Sequence, residues 1–513
     1  MISEMPGHPD RMWRLLLIFV VILQLGVFVV VARYRLIDGD EGFYVMASRL
    51  VYEHRVPYRD FFFTQMPLLP YVYGLWMQFA GATWISVRAL SALFTSMLGT
   101  LIYVHVCKVT GKWAFGLASI AIFLSSTHIF AWLPIVKTYA LSSLLLFLAY
   151  FSIATYASTS PKIAFAFGGL MLGLSADARL YIAGLLPMLI CWIFFAPEVR
   201  SRRIALVWFL GGFAAAVLPN LYLWAIAPDA YVFGNLGIHA ARSSHGLIGL
   251  GGKFRILSLL LLSRESGNGF QMAMLFACCG LLIILKHSAA TRLAFYLAVT
   301  LIVISLLPTP SFTQYFCVPV PFLVVAVVCS VSELMDKARN SRRKHLIMAI
   351  SAMLLSGFIA ASIGDFSRFL STGAGIKGIR PDLVTNYMLG SVVAMSRRID
   401  EVAAPGEQVM SLWPGYLLQT KVVPLPGFEN NTAREHTRTI CPEYMSKYHI
   451  VPQSQIEAQL AAHIPRLVVV GNQESMHPDF DADLYERMLQ RFGYQRIYLI
   501  GNSSLWIAPA GPR

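Results

Sequence analysis

The residues that point most directly to chemistry form an acidic cluster, which reads Asp38-Gly39-Asp40-Glu41-Gly42-Phe43-Tyr44. The cluster follows the first apolar run, residues 15–32, and a carboxylate is well solvated only outside hydrocarbon. At a membrane surface a carboxylate can act as general base on an acceptor hydroxyl or amine, while Arg, Lys or His stabilises charge on a departing phosphate. We therefore predict Asp40 as the base, with Glu41 or Asp38 supporting it or shaping the acceptor site.

The same acidic cluster has a structural explanation. Asp is a favoured N-cap, so Asp40 could simply begin a helix over residues 41–52, and Asp38-Gly39 could form a turn. Spacing alone leaves both explanations open.

Composition indicates a membrane protein. The chain has 513 residues, of which 57% are hydrophobic and 13% charged, whereas soluble domains carry about 25% charged residues. Several apolar runs can cross roughly 30 Å of hydrocarbon. The net charge of +14 comes from basic residues scattered in short loops, which favours membrane orientation over nucleic-acid binding.

The apolar runs predict a polytopic α-helical membrane protein of about eleven spans. They lie near residues 15–32, 85–106, 113–132, 138–157, 163–176, 180–196, 204–226, 269–285, 293–308, 315–332 and 346–363. Basic residues between them fall on one side, which the positive-inside rule makes cytoplasmic. An odd number of spans then places the N-terminus in the cytoplasm and residues 364–513 outside, and we predict a bacterial inner (plasma) membrane.

Two domains are expected. Residues 1–363 form the transmembrane module, whose outer loop 33–84 carries interfacial helices over residues 41–52 and 68–80. Residues 364–513 alternate β-type runs with helix patterns, which predicts a small extracytoplasmic α/β domain. Its sequence shows no phosphate-binding loop and no dinucleotide fingerprint, so its role stays open. The glycines of residues 246–252 predict a flexible loop.

The remaining ionisable residues near the spans collect at the outer ends. Lys137, Arg179 and Arg242 are candidate phosphate contacts; Arg88 and Lys137 could instead be interfacial anchors, and Asp177 could pair with Arg179. His239 and His245 could suggest a metal, but no clear third ligand accompanies them. A transporter usually carries such groups near the midplane, so this one-sidedness favours an enzyme over a lipid-linked sugar flippase or exporter.

Several of these residues resemble motifs of a known family. Asp40-Glu41 is similar to the first-loop motif of GT-C fold glycosyltransferases, most closely the protein mannosyltransferase and aminoarabinose transferase branch. The resemblance extends over roughly residues 10–335. Its other motifs are Pro57-Tyr58-Arg59-Asp60-Phe61, Gln65-Met66-Pro67-Leu68, Tyr71, Arg179 after a glycine-containing span, and Gln314-Tyr315 followed by Pro319 and Pro321.

The resemblance implies an inverting glycosyltransferase that moves one sugar from a polyprenyl-phosphate donor to an envelope lipid, glycan or protein, with no nucleic-acid partner. The predicted catalytic residues are Asp40 and Glu41. The predicted substrate-binding residues are Asp38, Tyr44, Arg59, Gln65, Lys137, Arg179, His239, Arg242 and Tyr315.

One departure from the family pattern concerns the phosphate site. Aminoarabinose transferases carry an acidic-basic pair where this chain has Thr64-Gln65. The basic contact and a carboxylate for a divalent metal are therefore missing at that position, and no metal or other cofactor is predicted. A non-catalytic envelope assembly protein of the same fold stays an alternative.

Overall fold

The computed structural model describes residues 10–241, 243, 246–265, 267–282, 287–338, 341–376, 378–431, 442–472 and 482–509. The α-helices α1–α23 are Asp10–Tyr34, Glu41–Tyr52, Leu68–Ala80, Trp84–Thr110, Trp113–Ser125, Thr127–Trp132, Thr138–Tyr156, Pro161–Ala178, Leu186–Phe195, Arg202–Val217, Pro219–Ile226, Pro228–Val232, Ile238–Ala241, Gly246–Leu262, Gly269–Leu282, Ala289–Leu306, Val320–Lys337, Ser341–Ser362, Asp365–Ser367, Leu389–Val402, Pro442–Lys447, Gln453–Ala461 and Ala482–Arg491. Shorter 3₁₀ or π turns cover Leu180–Leu185, Phe233–Gly237, Thr313–Cys317, Arg368–Thr372, Val384–Tyr387 and Pro414–Leu417. The strands β1–β5 are Gln408–Ser411, Val423–Pro424, Leu467–Val470, Gln495–Ile500 and Ser503–Ile507.

The polytopic helical character is confirmed. Within the described residues, seven helical segments are long and apolar enough to cross a membrane: Arg14–Tyr34, Trp84–Thr110, Thr138–Tyr156, Arg202–Ile226, Ala289–Leu306, Thr313–Lys337 and Ser341–Thr372. Three shorter apolar helices, Trp113–Ser125, Leu180–Phe195 and Gly269–Gly280, fall on three further predicted spans. Helix α8 covers the remaining predicted span, and the total of eleven stays a prediction.

One predicted span, residues 113–132, is interrupted. Helix α5 ends at Ser125 and α6 begins at Thr127, because Ser126 between them has an extended backbone (φ −70°, ψ 117°). Ser and Thr side chains offer the backbone alternative hydrogen bonds, and Ser125 Oγ donates to the Ala121 carbonyl (2.6 Å). The backbone on either side of the break bonds to Gln271: the Thr127 N–H donates to its Oε1 (2.9 Å), and its Nε2 donates to the Ser125 carbonyl (2.8 Å). Hydropathy alone would continue the helix through this break.

A second difference falls on the predicted glycine-rich loop. Gly246–Leu262 is one continuous helix, α14. Glycine inside a helix costs about 1 kcal/mol relative to Ala. The run contains no proline to interrupt the helix, and it is apolar along most of its length.

The chain divides into two compact units. Unit 1 lies within Met1–Ala32, Ser91–Pro219 and Ser244–Phe366, and unit 2 comprises Arg33–Leu90, Asn220–Ser243 and Ser367–Arg513. In unit 1, α8 and α10 approach so closely that a Cβ on Gly173 would lie 2.9 Å from the Phe213 carbonyl oxygen. Small residues allow such backbone contact between membrane helices.

In unit 2, helices α2 and α3 match their predicted bounds. A Cβ on Gly74 of α3 would lie 2.9 Å from the Ser48 carbonyl oxygen of α2, so glycine is needed for this packing. Residues Glu41–Leu50 of α2 are buried. The interfacial position of the two helices stays a prediction.

The small C-terminal α/β domain is confirmed, with one five-stranded sheet in the order β2-β1-β3-β5-β4. Strand β1 pairs in parallel with β2 and β3, whereas β5 runs antiparallel to β3 and β4. Apolar side chains from strands β1, β3 and β5 and helices α22 and α23 share one core; its members include Met410, Ile456, Val468, Leu489 and Trp506.

Candidate active site

The acidic cluster forms the turn that leads into α2. The Asp40 N–H donates to Asp38 Oδ1 (3.1 Å), and the Asp38 N–H donates to Glu41 Oε1 (2.9 Å). The Glu41 N–H donates to the Asp38 carbonyl (3.0 Å). The carboxylates of Asp38 and Glu41 therefore hold the backbone of this segment in a tight turn.

Glu41 is engaged in a buried ion pair with Arg88 of α4. Arg88 Nη2 donates to Glu41 Oε1 (2.5 Å) and Arg88 Nε to Glu41 Oε2 (2.9 Å). The side chain of Glu41 is 0% exposed and that of Arg88 is 1% exposed. Arg88 Nη1 also donates to the Arg35 carbonyl (2.6 Å). Arg88 is thus a buried partner of the cluster and not an exposed interfacial anchor.

A second buried arginine, Arg35, lies at the start of the same loop. Its Nη1 donates to the Leu36 carbonyl (2.5 Å), and its guanidinium lies 5.8 Å from the Phe369 ring centre. Burial lowers the pKa of Arg35 to about 10, although Asp38 and Glu41 oppose that shift. The side chain therefore stays cationic at neutral pH and contributes positive charge beside the carboxylates.

Asp40 differs from its two acidic neighbours. Asp38 and Glu41 are buried, whereas Asp40 is partly exposed. Asp40 occupies the N-cap position of α2, but its side chain makes no capping hydrogen bond. A purely structural capping role therefore does not account for this carboxylate, and its exposure is compatible with a reacting group.

The second part of the loop is held by the segment around residue 235. The Tyr58 hydroxyl donates to the Gln65 carbonyl (2.5 Å) and accepts from Asn235 Nδ2 (3.2 Å). His239 Nε2 lies 3.1 Å from the Thr64 carbonyl. The backbone of Gln65 and the His239 ring thus serve here to fix the loop.

Two other residues of unit 2 that were predicted to bind substrate, Arg59 and Tyr44, contact neighbouring side chains. The exposed Arg59 donates to both carboxylate oxygens of Asp60 (2.8 Å each). Hydrogen bonding to Arg59 lowers the pKa of Asp60. Tyr44 is buried in α2, with its ring 4.1 Å from that of Phe43.

Unit 1 contains a separate cluster of cations and aromatic rings. Arg179 follows the end of α8 and donates from Nη1 to Thr138 Oγ1 (2.7 Å) at the start of α7. Its guanidinium carbon lies 4.4, 4.8 and 4.7 Å from the ring centres of Tyr139, Tyr181 and Tyr315. Each distance is within the roughly 6 Å range of a cation–π interaction. The rings hold the guanidinium plane in one orientation.

Lys137 belongs to the same end of unit 1, directly before α7. Its Nζ donates to Gln314 Oε1 (3.2 Å) and lies 5.0 Å from the Trp132 ring centre. Arg179 and Lys137 are both buried. The structure thus brings together Lys137, Arg179 and Gln314-Tyr315, and their role as substrate contacts stays a prediction.

Two predicted residues, Arg242 and His245, lie outside the described residues. In the part of the chain that is described, no group of three or more His, Cys, Asp and Glu side chains is arranged to hold a metal ion. Both oxygens of Glu41 already accept hydrogen bonds, so this carboxylate fits poorly as a metal ligand.

Sequence reasoning missed several of these partners. The Glu41–Arg88 pair joins residues 47 positions apart, and the tyrosines around Arg179 come from three separate segments. Trp413, whose indole N–H donates to the Gly39 carbonyl (2.8 Å), lies 374 positions from its partner. Tyr315 was predicted and Tyr181 lies two positions from Arg179, but no local spacing signals the pairs Glu41–Arg88, Arg179–Tyr139 and Trp413–Gly39.

The apolar spans and the C-terminal sheet define a polytopic membrane protein with a small α/β domain. No protein-family model and no curated protein matches the sequence. Solved structures do match: ArnT from Cupriavidus metallidurans in the apo state has a TM-score of 0.67 at 12% identity, covering 98% of this chain and 99% of that one. The same protein bound to undecaprenyl phosphate gives a TM-score of 0.65 at 12% identity over the same shares.

A second similar structure is arabinofuranosyltransferase AftD from Mycobacteria, with a TM-score of 0.54 at 14% identity. The match covers 100% of this chain and 41% of the AftD chain. At these identities the likeness shows the fold. The chain has the GT-C fold expected from the resemblance of its first loop.

Proposed function

We propose that the protein is an inverting glycosyltransferase that moves a single sugar from a polyprenyl-phosphate donor to an acceptor at the outer face of the membrane. The observation that carries the proposal is the acidic loop 38–41 within a fold that matches ArnT over 98% of the chain. The ArnT structure with undecaprenyl phosphate supports a lipid-phosphate donor.

Asp40 is the proposed general base. Glu41 is bound to Arg88 through both oxygens, and Asp38 accepts the Asp40 N–H. Each of these two buried carboxylates therefore maintains the turn, which makes Asp38 and Glu41 positioning residues in this proposal. Asp40 is the partly exposed member of the three, so an acceptor can reach it.

Arg179 and Lys137 are the proposed phosphate contacts. A guanidinium presents a planar set of N–H donors that matches phosphate oxygens, and an ammonium supplies a compact charge. Tyr139, Tyr181 and Tyr315 fix the guanidinium plane, so little orientation would be lost on binding. Positive charge of this kind is what the family pattern carries near Gln65 and this chain's first loop does not.

The reaction is a single displacement. The acceptor oxygen or nitrogen attacks the anomeric carbon while its proton passes to Asp40, and the bond between that carbon and the phosphate oxygen breaks with its electron pair leaving on the phosphate. Cationic side chains stabilise the departing charge. The products are the glycosylated acceptor, with inverted configuration, and the polyprenyl phosphate.

The proposed location is the inner membrane, with the N-terminus in the cytoplasm and the acidic loop outside. The asymmetric distribution of basic loop residues supports this orientation. Because the loop and the C-terminal region belong to one compact unit, both are assigned to the outer side. Labelling single cysteines at positions 53 and 382 with a membrane-impermeant reagent in intact cells tests the assignment. Protection of both would reverse it.

The activity is tested with the full-length protein in liposomes that contain undecaprenyl-phosphate-linked sugars and an envelope extract as acceptor source. Mass spectrometry follows the covalent product and released undecaprenyl phosphate. We expect Asp40→Asn to lower transfer at least about a hundredfold, in line with loss of a general base. Asp382→Asn removes an exposed carboxylate of unit 2 and serves as control.

Each other result has a defined meaning. Transfer by Asp40→Asn at the wild-type rate would remove Asp40 as base. Movement of the lipid-linked sugar across the bilayer without covalent product would establish a flippase instead. Neither product nor movement, together with full complementation of a deletion strain by Asp40→Asn, would establish a non-catalytic assembly protein.

A further inference from the structure

The carboxyl end of strand β1 leads directly to the acidic loop. After β1, Leu412 donates its N–H to the Val469 carbonyl of β3 (3.0 Å), and the next residue is Trp413. The Trp413 indole N–H donates to the Gly39 carbonyl (2.8 Å). A buried residue of the C-terminal α/β domain therefore bonds the backbone immediately before Asp40.

This bond acts on a peptide group that is held at both of its polar atoms. The Gly39 carbonyl and the Asp40 N–H belong to one planar unit. Trp413 binds the carbonyl and Asp38 Oδ1 binds the N–H (3.1 Å). Fixing this plane fixes the direction in which the Asp40 side chain leaves the backbone.

The indole itself has little freedom to move. It stacks on Trp84, with ring centres 5.8 Å apart and planes at 9°, and meets the Tyr416 ring edge-on at 5.0 Å. A Cβ on Gly42 would collide with the Trp413 ring, so only glycine fits at this point of α2. The donor is thus placed rigidly against the first turn of α2.

The edge of the sheet supports the same conclusion. In open α/β sheets, ligands usually bind outside the carboxyl ends of parallel strands. Here the chain's own segments lie at that edge. Asn472, after β3, donates to the Asn386 carbonyl (3.0 Å), and the adjacent Tyr387 carbonyl accepts the Ile37 N–H (2.7 Å). In the described residues, this edge of the sheet therefore contacts the loop that leads into α2.

We propose that Trp413 is a positioning residue for the transfer reaction and that the C-terminal α/β domain serves to aim Asp40. The assignment rests on the proposed role of Asp40 as general base. It predicts that removing the Trp413 indole N–H, which lies 374 positions from Gly39 in the sequence, slows the transfer step and leaves binding of the sugar donor intact.

The test compares two matched variants in the same aromatic stack. Trp413→Phe keeps an aromatic ring and removes the donor to Gly39. Trp84→Phe removes the equivalent indole donor, which reaches the Gly415 carbonyl (3.2 Å) and not the loop. With full-length protein in liposomes, we expect Trp413→Phe to lower kcat about tenfold with the donor KM within about twofold. Trp84→Phe keeps kcat within about twofold of wild type.

Hydrogen exchange provides a readout that does not depend on activity. In Trp413→Phe the amides of residues 37–43 should exchange at least about fivefold faster than in Trp84→Phe, while those of β3 stay equal. Equal loop exchange or equal kcat in the two variants would overturn the positioning role. Faster loop exchange in Trp413→Phe, combined with a wild-type protein that makes no glycosylated product, would instead refute the proposed function alone.

Discussion

The buried pair Glu41–Arg88 gives the sharpest prediction for stability. Both side chains are excluded from solvent, and the two hydrogen bonds between them are 2.5 and 2.9 Å long. Removing one partner of such a pair leaves an uncompensated charge in a nonpolar environment. We predict that Arg88→Met and Glu41→Leu are each strongly destabilising, and that the double variant is much less so than their sum.

The expected magnitude follows from the contacts. Breaking a buried pair costs about 3–5 kcal/mol, whereas replacing both partners with apolar residues of similar size is often near neutral. Here the double variant also loses the bonds from Arg88 to the Arg35 carbonyl and from the Asp38 N–H to Glu41. Each lost bond of this kind costs about 1 kcal/mol. The double variant should therefore lose about 2–3 kcal/mol, and the coupling energy should be at least about 3 kcal/mol.

The assay is reversible unfolding of the full-length protein in mixed micelles, with the denaturing detergent increased stepwise and the free energy read from each transition. Arg380→Met is the control, because Arg380 and Asp382 form an exposed ion pair (3.2 Å). Exposed pairs contribute little, so this variant should stay within about 0.5 kcal/mol of wild type. Additive losses in the double variant would refute the argument that the two charges exist to neutralise each other.

Two further predictions concern other charged sites. Arg179→Lys should weaken binding of undecaprenyl phosphate about tenfold in native mass spectrometry, because lysine keeps the charge but loses the planar contact with three tyrosines; unchanged affinity would exclude a role for the guanidinium plane. The hydrogen bond from Arg466 lowers the pKa of Glu407 below its usual 4.5. The stability it contributes is therefore present above pH 4.5 and lost as pH falls through the folded-state value. Arg466→Met should then be destabilised by less than about 1 kcal/mol at neutral pH, and the difference should vanish in acid; a constant difference would contradict the linkage.

Much of the secondary structure could be predicted from local pattern. Helices α2 and α3 have the predicted bounds, and residues 364–513 contain the alternating strands and helices that their pattern predicts. Periodicity and turn residues fix such elements locally. The break at Ser126 and the helix across Gly246 were not predicted, because hydropathy carries the first run through the break and glycine content favours a loop over the second run.

The site could be predicted only as residues and not as contacts. Asp40, Arg179 and Lys137 stand out because ionisable groups are rare beside apolar spans. Their partners carry no such signal. Arg88 has the sequence position of an interfacial anchor, and Trp413 follows an ordinary β run, yet each bonds the acidic loop from far along the chain. Long-range pairs of this kind depend on the tertiary fold.

The acidic loop illustrates why a charged motif is not a set of equivalent catalytic groups. Three carboxylates and two buried arginines, Arg35 and Arg88, meet within a few residues of α2. Burying a charge without a partner is costly, so the buried members must neutralise one another. Glu41 does so with Arg88, and the positive charge of Arg35 is stabilised by Asp38 and Glu41. The fold thus uses two of the three acidic residues to build the turn, and the exposure of Asp40 is what makes it the group to test.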